Sequence, residues 1–188
     1  MNHDLELDAM AVALPDVVGH PNRLPFRGVL TLVGVASKRP PSGARGHRVM
    51  LTRAASDAAL PSLLGMGLDY APQLSAHDAR RKIGVITEAT IQPLPHGGTS
   101  KITGQIAIAG YLYAQDFADV IGEIRAQPDG TLGMSYEITN VTVPNQESQI
   151  WAVTSFTFTG AAVLRRDKAA YPQTWIVVDA AETTHPTT

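Results

Sequence analysis

The sequence predicts an α+β protein built on a mostly antiparallel, barrel-like β-sheet with a few helices around it. Segments rich in Val, Ile and Thr, with near-alternating apolar positions, recur from Phe26 to Val178. Two stretches, Asp57 to Leu64 and Asp116 to Ala126, read as helices instead. The order of strands, short helix, hairpin, amphipathic helix and strands also lacks the regular strand–helix alternation of a parallel α/β fold.

With 188 residues, 44% of them hydrophobic, the chain can bury one sizeable core. Residues 1–24 mix acidic residues with Pro15, Gly19 and Pro21 without a period, and read as an N-terminal arm. The barrel domain is expected over 25–179, and 180–188 reads as a disordered tail that frays.

Phe26 to Ala36 is Val- and Leu-rich with few charges, as a buried strand requires. Lys38 to Arg48 is a basic Pro/Gly loop, after which Val49 to Thr52 resumes a strand. Ser56 is the expected N-cap of a short helix over Asp57 to Leu64 that Gly65 stops. Gly67 to Tyr70 is short and extended, and Ala71-Pro72 leads a loop to His77. Lys82 to Gln92 is expected to be a strand with Ile83, Val85 and Ile91 inward. A turn at Pro95 to Gly98 joins it to an antiparallel partner over Lys101 to Tyr113. Phe117, Val120, Ile121 and Ile124 lie on one face of the second helix, which Pro128-Asp129-Gly130 ends. Two long strands, Leu132 to Val143 and Ile150 to Val163, follow; Arg165 to Tyr171 reads as helical and Trp175 to Val178 as a short strand.

A net charge of -2 offers no global positive field, so neither nucleic acid nor an anionic membrane is an expected partner. The absence of cysteine removes disulfides, thiolate nucleophiles and Cys-ligated zinc, and suits a reducing compartment. Asp4, Glu6 and Asp8 stand where a secretory leader would be basic, and no apolar run nears the roughly 20 residues of a membrane span. His3, His20, His47, His96 and His185 are scattered without HxH or HxxxH spacing, so no metal and no cofactor are expected. Gly65-Met66-Gly67 lacks the third glycine and the preceding strand of a dinucleotide-binding turn.

In Leu132-Gly133-Met134-Ser135-Tyr136-Glu137-Ile138, the alternation puts Leu132, Met134, Tyr136 and Ile138 on one face and Ser135 with Glu137 on the other. A serine hydroxyl becomes a nucleophile only beside a base, and His77, at the entrance of the strand from Lys82, is the candidate. Asp78 beside it would raise the imidazole pKa. Arg165-Arg166 offers guanidinium groups for a developing oxyanion, set against the simpler role of a solvated charged turn.

These residues resemble those of the phage prohead (capsid maturation) proteases. The run HDARRKIGVITEA is similar to that family's histidine followed by a strand of the form iGkvtea, LGMSYEI to its catalytic-serine strand, and TFTGAAVLRRDKAAY to its last barrel strand and exit. The order covers Phe26 to Tyr171. The resemblance implies a fold similar to the herpesvirus assembly proteases, with His77 as general base and Ser135 as nucleophile. It also offers Arg165 and Arg166 as oxyanion support.

The chain departs from the family at two places. Thr154 to Thr157 carries no charge where a second histidine or an acid is expected, and Glu137 replaces a small residue. The third catalytic member is then Glu137 or Thr157, or the pair works as a dyad. The implied function is a serine endopeptidase that processes scaffold and major capsid protein, with self-association, inside the procapsid in the host cytoplasm. The alternative is an inactive descendant serving as a structural capsid-associated component.

Overall fold

A computed structural model describes residues 9–15, 17, 19–95 and 102–179. Among the described residues the strands are β1 (Ala9–Ala11), β2 (Leu24–Val33), β3 (Arg48–Leu51), β4 (Gly67–Tyr70), β5 (Lys82–Gln92), β6 (Gly104–Leu112), β7 (Leu132–Thr142), β8 (Ile150–Val153), β9 (Ser155–Arg165) and β10 (Trp175–Val178). Two short helices, α1 (Arg53–Ala59) and α2 (Ala118–Arg125), complete an α+β fold made mostly of strands.

The main sheet runs β10-β2-β6-β5-β4-β9-β7. β4 pairs with Lys82 to Val85 of β5, and β1 pairs farther along β5 at Glu88 to Thr90, so part of the expected arm is built into the sheet. β4 and β9 are parallel neighbours; the other pairings of this sheet are antiparallel. The sheet curls into a half-barrel that brings β7 back toward β2 and β10. Gly28 of β2 permits this approach, because a Cβ there would lie 2.3 Å from the Trp175 carbonyl oxygen and 2.9 Å from Met134 Sδ. Phe26, Leu30, Ile83, Ile106, Leu112 and Phe158 fill the concave side and are fully buried.

α1 starts earlier than expected. Thr52, not Ser56, is its N-cap: Thr52 Oγ1 accepts from the Ala55 N–H, while Ser56 lies within the helix and donates from its own N–H and Oγ to the Thr52 carbonyl. The α-ladder stops at Ala59 because Pro61 has no N–H to continue it, and a 3-10 turn, Leu60–Leu63, takes its place. Gly65 at φ 79° then redirects the chain into β4, as expected. α2 follows its predicted face, with Val120, Ile121 and Ile124 buried.

Three other expectations change. In β5 a bulge between Ile86 and Glu88 shifts the alternation, so Ile86 is buried and Val85 is only half-buried. The long strand expected from Ile150 divides at Thr154, where β8 leaves the main sheet to pair in parallel with β3. Arg165 ends β9 and residues 166–171 form turns and bends instead of a helix, with the Lys168 N–H donating to the Arg165 carbonyl at 2.8 Å. Most of the predicted 95–98 turn, the start of the arm and the 180–188 tail lie outside the described residues.

Phe158 makes T-shaped contacts with Phe156 at 4.9 Å and Tyr136 at 6.1 Å. Phe158→Ala is expected to lower stability by about 3–5 kcal/mol, read from urea unfolding. A loss below about 1 kcal/mol would contradict this packing.

Candidate active site

Four neighbouring strands bring the candidate residues onto one face. Lys82 of β5 is in register with Asp69 of β4, Asp69 with Ala162 of β9, and Ala162 with Ser135 of β7. Residues in register share a face, so Asp69 and Ser135 emerge on the same side with the small side chain of Ala162 between their positions. In β4, Leu68 and Tyr70 enter the core while Asp69 takes the opposite face. The Tyr70 hydroxyl donates to Glu123 Oε2 of α2 and fixes that strand. Burial and the Glu123 carboxylate push the Tyr70 pKa up to about 12.

His77 arrives on a loop that turns sharply through Gln73 and Leu74, both at positive φ, with the Leu74 side chain buried as its anchor. Its Nδ1 lies 3.5 Å from Asp69 Oδ2 and 3.5 Å from Glu137 Oε1. Lys82 Nζ bridges the same two carboxylates, 3.3 Å from each. Asp69 has no exposed side-chain surface, whereas Glu137, His77 and Lys82 retain 22%, 28% and 32%. Burial raises the Asp69 pKa, but His77, Lys82 and the Asp78 N–H together outweigh it and hold the carboxyl below its ordinary range.

The Asp78 carboxylate is engaged by Arg80 instead, accepting from its backbone N–H and pairing with its guanidinium. The carboxylates at the imidazole are therefore Asp69 and Glu137, not the sequence neighbour.

Gly160 makes the Glu137–Lys82 pair feasible. It faces Glu137 across β7 and β9, and a Cβ there would stand 2.4 Å from Glu137 Oε2 and 3.0 Å from Lys82 Nζ. Asp69, Lys82 and Gly160 were not singled out from the sequence. Asp69 left one trace there: a carboxylate inside the short apolar strand Gly67 to Tyr70 is costly unless paired.

Ser135, His77 and Glu137 line one cavity of about 1050 Å³. It continues past Ile138, Val143 and Val153 to Trp151, beneath the loop Arg39 to Arg45. His47 stacks on Trp151 at 4.5 Å and lies 2.8 Å from the Ser148 carbonyl oxygen, which holds that loop as a wall. The structure thus brings Ser135, His77 and Glu137 to one cavity, but among the described residues no hydrogen bond joins Ser135 Oγ to His77, and His77 Nδ1 is buried without a hydrogen-bond partner. Comparison with protein-family models, with characterised proteins and with solved structures gave no match.

The remaining candidates lie elsewhere. Thr157 pairs with Thr139, three residues along β9 from Gly160, and does not line the cavity. Arg165 and Arg166 line a second cavity, and Arg165 is bound to Asp167 at 2.6 Å.

The expectation of no metal site rested on histidine spacing along the chain, and the fold adds a grouping by tertiary approach that spacing does not show. Ligand atoms of Asp69, His77 and Glu137 lie within 4.8 Å of one another, a mixed imidazole and carboxylate set able to hold a divalent cation. Lys82 already supplies a positive charge to both carboxylates, so a metal would have to displace it.

The depressed Asp69 pKa gives its stability contribution a defined sign with pH. That contribution is present above the unfolded carboxylate value of about 4 and lost as pH falls through the lower folded value. Asp69→Asn is expected to lower the melting temperature at neutral pH and flatten its decline in acid, measured by thermal unfolding across the acid range. Equal slopes in the two proteins would show that Asp69 does not carry this dependence.

Proposed function

We propose that this chain is a serine endopeptidase of herpesvirus-assembly-protease-like fold that processes scaffold and capsid protein during phage procapsid maturation. The observation that supports it is the shared cavity: Ser135 on one face of β7, and His77 beside two carboxylates on that same face.

In this mechanism, an Nδ1–H on His77 turns toward Asp69 or Glu137, each 3.5 Å away and hydrogen-bonded to neither in the free chain, leaving Nε2 as the base. His77 takes the Ser135 proton as Oγ attacks the peptide carbonyl, backbone N–H groups meet the oxyanion, and the imidazolium returns the proton to the leaving amine. Water then hydrolyses the acyl-enzyme with His77 again as base. Asp69 suits the orienting role better than Glu137, because a fully buried carboxylate is less screened and stays ionised beside Lys82. Apo catalytic contacts are commonly loose and tighten with substrate, which fits the missing Ser135–His77 hydrogen bond. Processing would take place inside the assembling procapsid in the host cytoplasm, with self-association supplying activation.

The second reading is a structural capsid-associated protein that keeps the fold without catalysis. It is favoured by that same missing hydrogen bond and by the tie between Glu137 and Lys82 at the cavity.

Co-expression with the scaffold, followed by mass spectrometry, separates the two. Ser135→Ala is expected to slow trimming by at least about a thousandfold while the melting temperature holds. Asp69→Asn should cost more than Glu137→Gln in kcat. Trimming by Ser135→Ala at the unmodified rate would end the peptidase proposal.

A further inference from the structure

A second cavity, of about 640 Å³, opens between the turn at Gln127 to Thr131 and the loop that follows β9. Lys38, Arg39, Arg165 and Arg166 line it against a single carboxylate, that of Asp167. That carboxylate is already engaged, since Arg165 Nε and Nη2 grip it at 3.0 and 2.6 Å. Arg39 spends one N–H on the Asp167 carbonyl.

Lys38 and Arg166 remain. Among the described residues no acceptor meets the Lys38 ammonium or the Arg166 guanidinium, and Arg166 Nε is buried without a partner. The Arg166 backbone N–H is bonded to the Thr131 carbonyl at 2.7 Å, which fixes the root of the side chain beside the Gln127 to Thr131 turn. A half-buried guanidinium with unmet donors is costly alone, and an incoming carboxylate would satisfy it through paired N–H bonds. This concentration of positive charge stands on a chain whose net charge is -2.

We propose that this cavity is a docking subsite for an acidic stretch of the protein substrate, whose side-chain carboxylates meet Arg166 and Lys38. That it serves a substrate rests on the endopeptidase reading; the capture of an acidic peptide does not. Arg39 lines both cavities, and the loop between them gives Lys168 and Ala170 to the first and Asp167 and Ala169 to the second. A peptide lying past Ser135 therefore reaches the basic cavity by crossing Arg39. A peptide is favoured over nucleic acid because the cations line one concave cavity of an acidic chain instead of forming a broad basic stripe.

The test uses the Ser135→Ala full chain and fluorescence anisotropy with two labelled peptides, one carrying a run of glutamates and the other glutamines in their place. The acidic peptide is expected to bind about tenfold more tightly, with the advantage shrinking as salt is added. Arg166→Gln and Lys38→Gln should each remove most of that advantage, Arg166→Lys should retain part of it, and the remote Arg80→Gln should leave it unchanged. Lys38 lies on an exposed loop, so its variant reads the site even where Arg166→Gln unfolds the chain.

Equal binding of the two peptides would overturn the proposal. So would undiminished acidic-peptide binding by a folded Lys38→Gln protein, or tighter binding of a duplex oligonucleotide than of the peptide. Loss of the peptidase reading would appear separately, as unchanged scaffold trimming by Ser135→Ala, and would leave the anisotropy result standing.

Discussion

Asp69 is an ionised carboxylate with none of its side chain open to water, and the arrangement around it follows from that cost. An unpaired buried charge is intolerable, so the fold surrounds this one with the Lys82 ammonium, the His77 imidazole and the Asp78 N–H. They come from two adjoining segments of the chain. Lys82 begins β5, while His77 and Asp78 belong to the loop before it. Satisfying one carboxylate therefore fixes both the strand entrance and the loop, and the second carboxylate, Glu137, joins by sharing the lysine. The small residues of β9 supply the floor: Gly160 makes room for the Glu137–Lys82 pair, and Ala162 lies between the positions of Asp69 and Ser135.

Chain topology explains why the cavity lies where it does. The concave side of the half-barrel is filled with apolar side chains, leaving the opposite face of β4, β9 and β7 for polar groups. That face is roofed by segments from outside the main sheet. The loop Arg39 to Arg45, the β3–β8 ribbon and the loop after β9 contribute its walls. The break at Thr154 is essential to this arrangement, because it lets β8 leave the main sheet and carry Trp151 to the far end of the cavity. The described helices are not long and apolar enough to cross a membrane.

Much of the fold was legible because strand alternation and turn residues are local signals. The β5–β6 pairing, α2 with its buried face, and the placing of Ser135 and Glu137 on one side of β7 could be read directly. The bulge after Ile86 and the departure of β8 could not, since both depend on which strand lies alongside. The same limit applies to the site. His77 and Ser135 carried a sequence pattern, whereas the roles of Asp69 and Lys82 arise from cross-strand register. Arg165 and Arg166 showed the reverse failure: a conspicuous pair in sequence, they line the neighbouring cavity, because β9 ends there and the chain turns away from Ser135.

The equal 3.5 Å separations from His77 Nδ1 to Asp69 and Glu137 do not make the two carboxylates equivalent partners. Glu137 reaches the imidazole from a partly exposed side chain, so water screens its charge and lets it rotate at modest cost. Asp69 has no such freedom. It is buried, accepts the Asp78 N–H and cannot leave Lys82 without stranding a charge. An imidazole that becomes positively charged would therefore gain most from Asp69, while Glu137 is the partner able to swing aside. On the peptidase reading, the third catalytic group then stands on β4, ahead of the histidine in the chain.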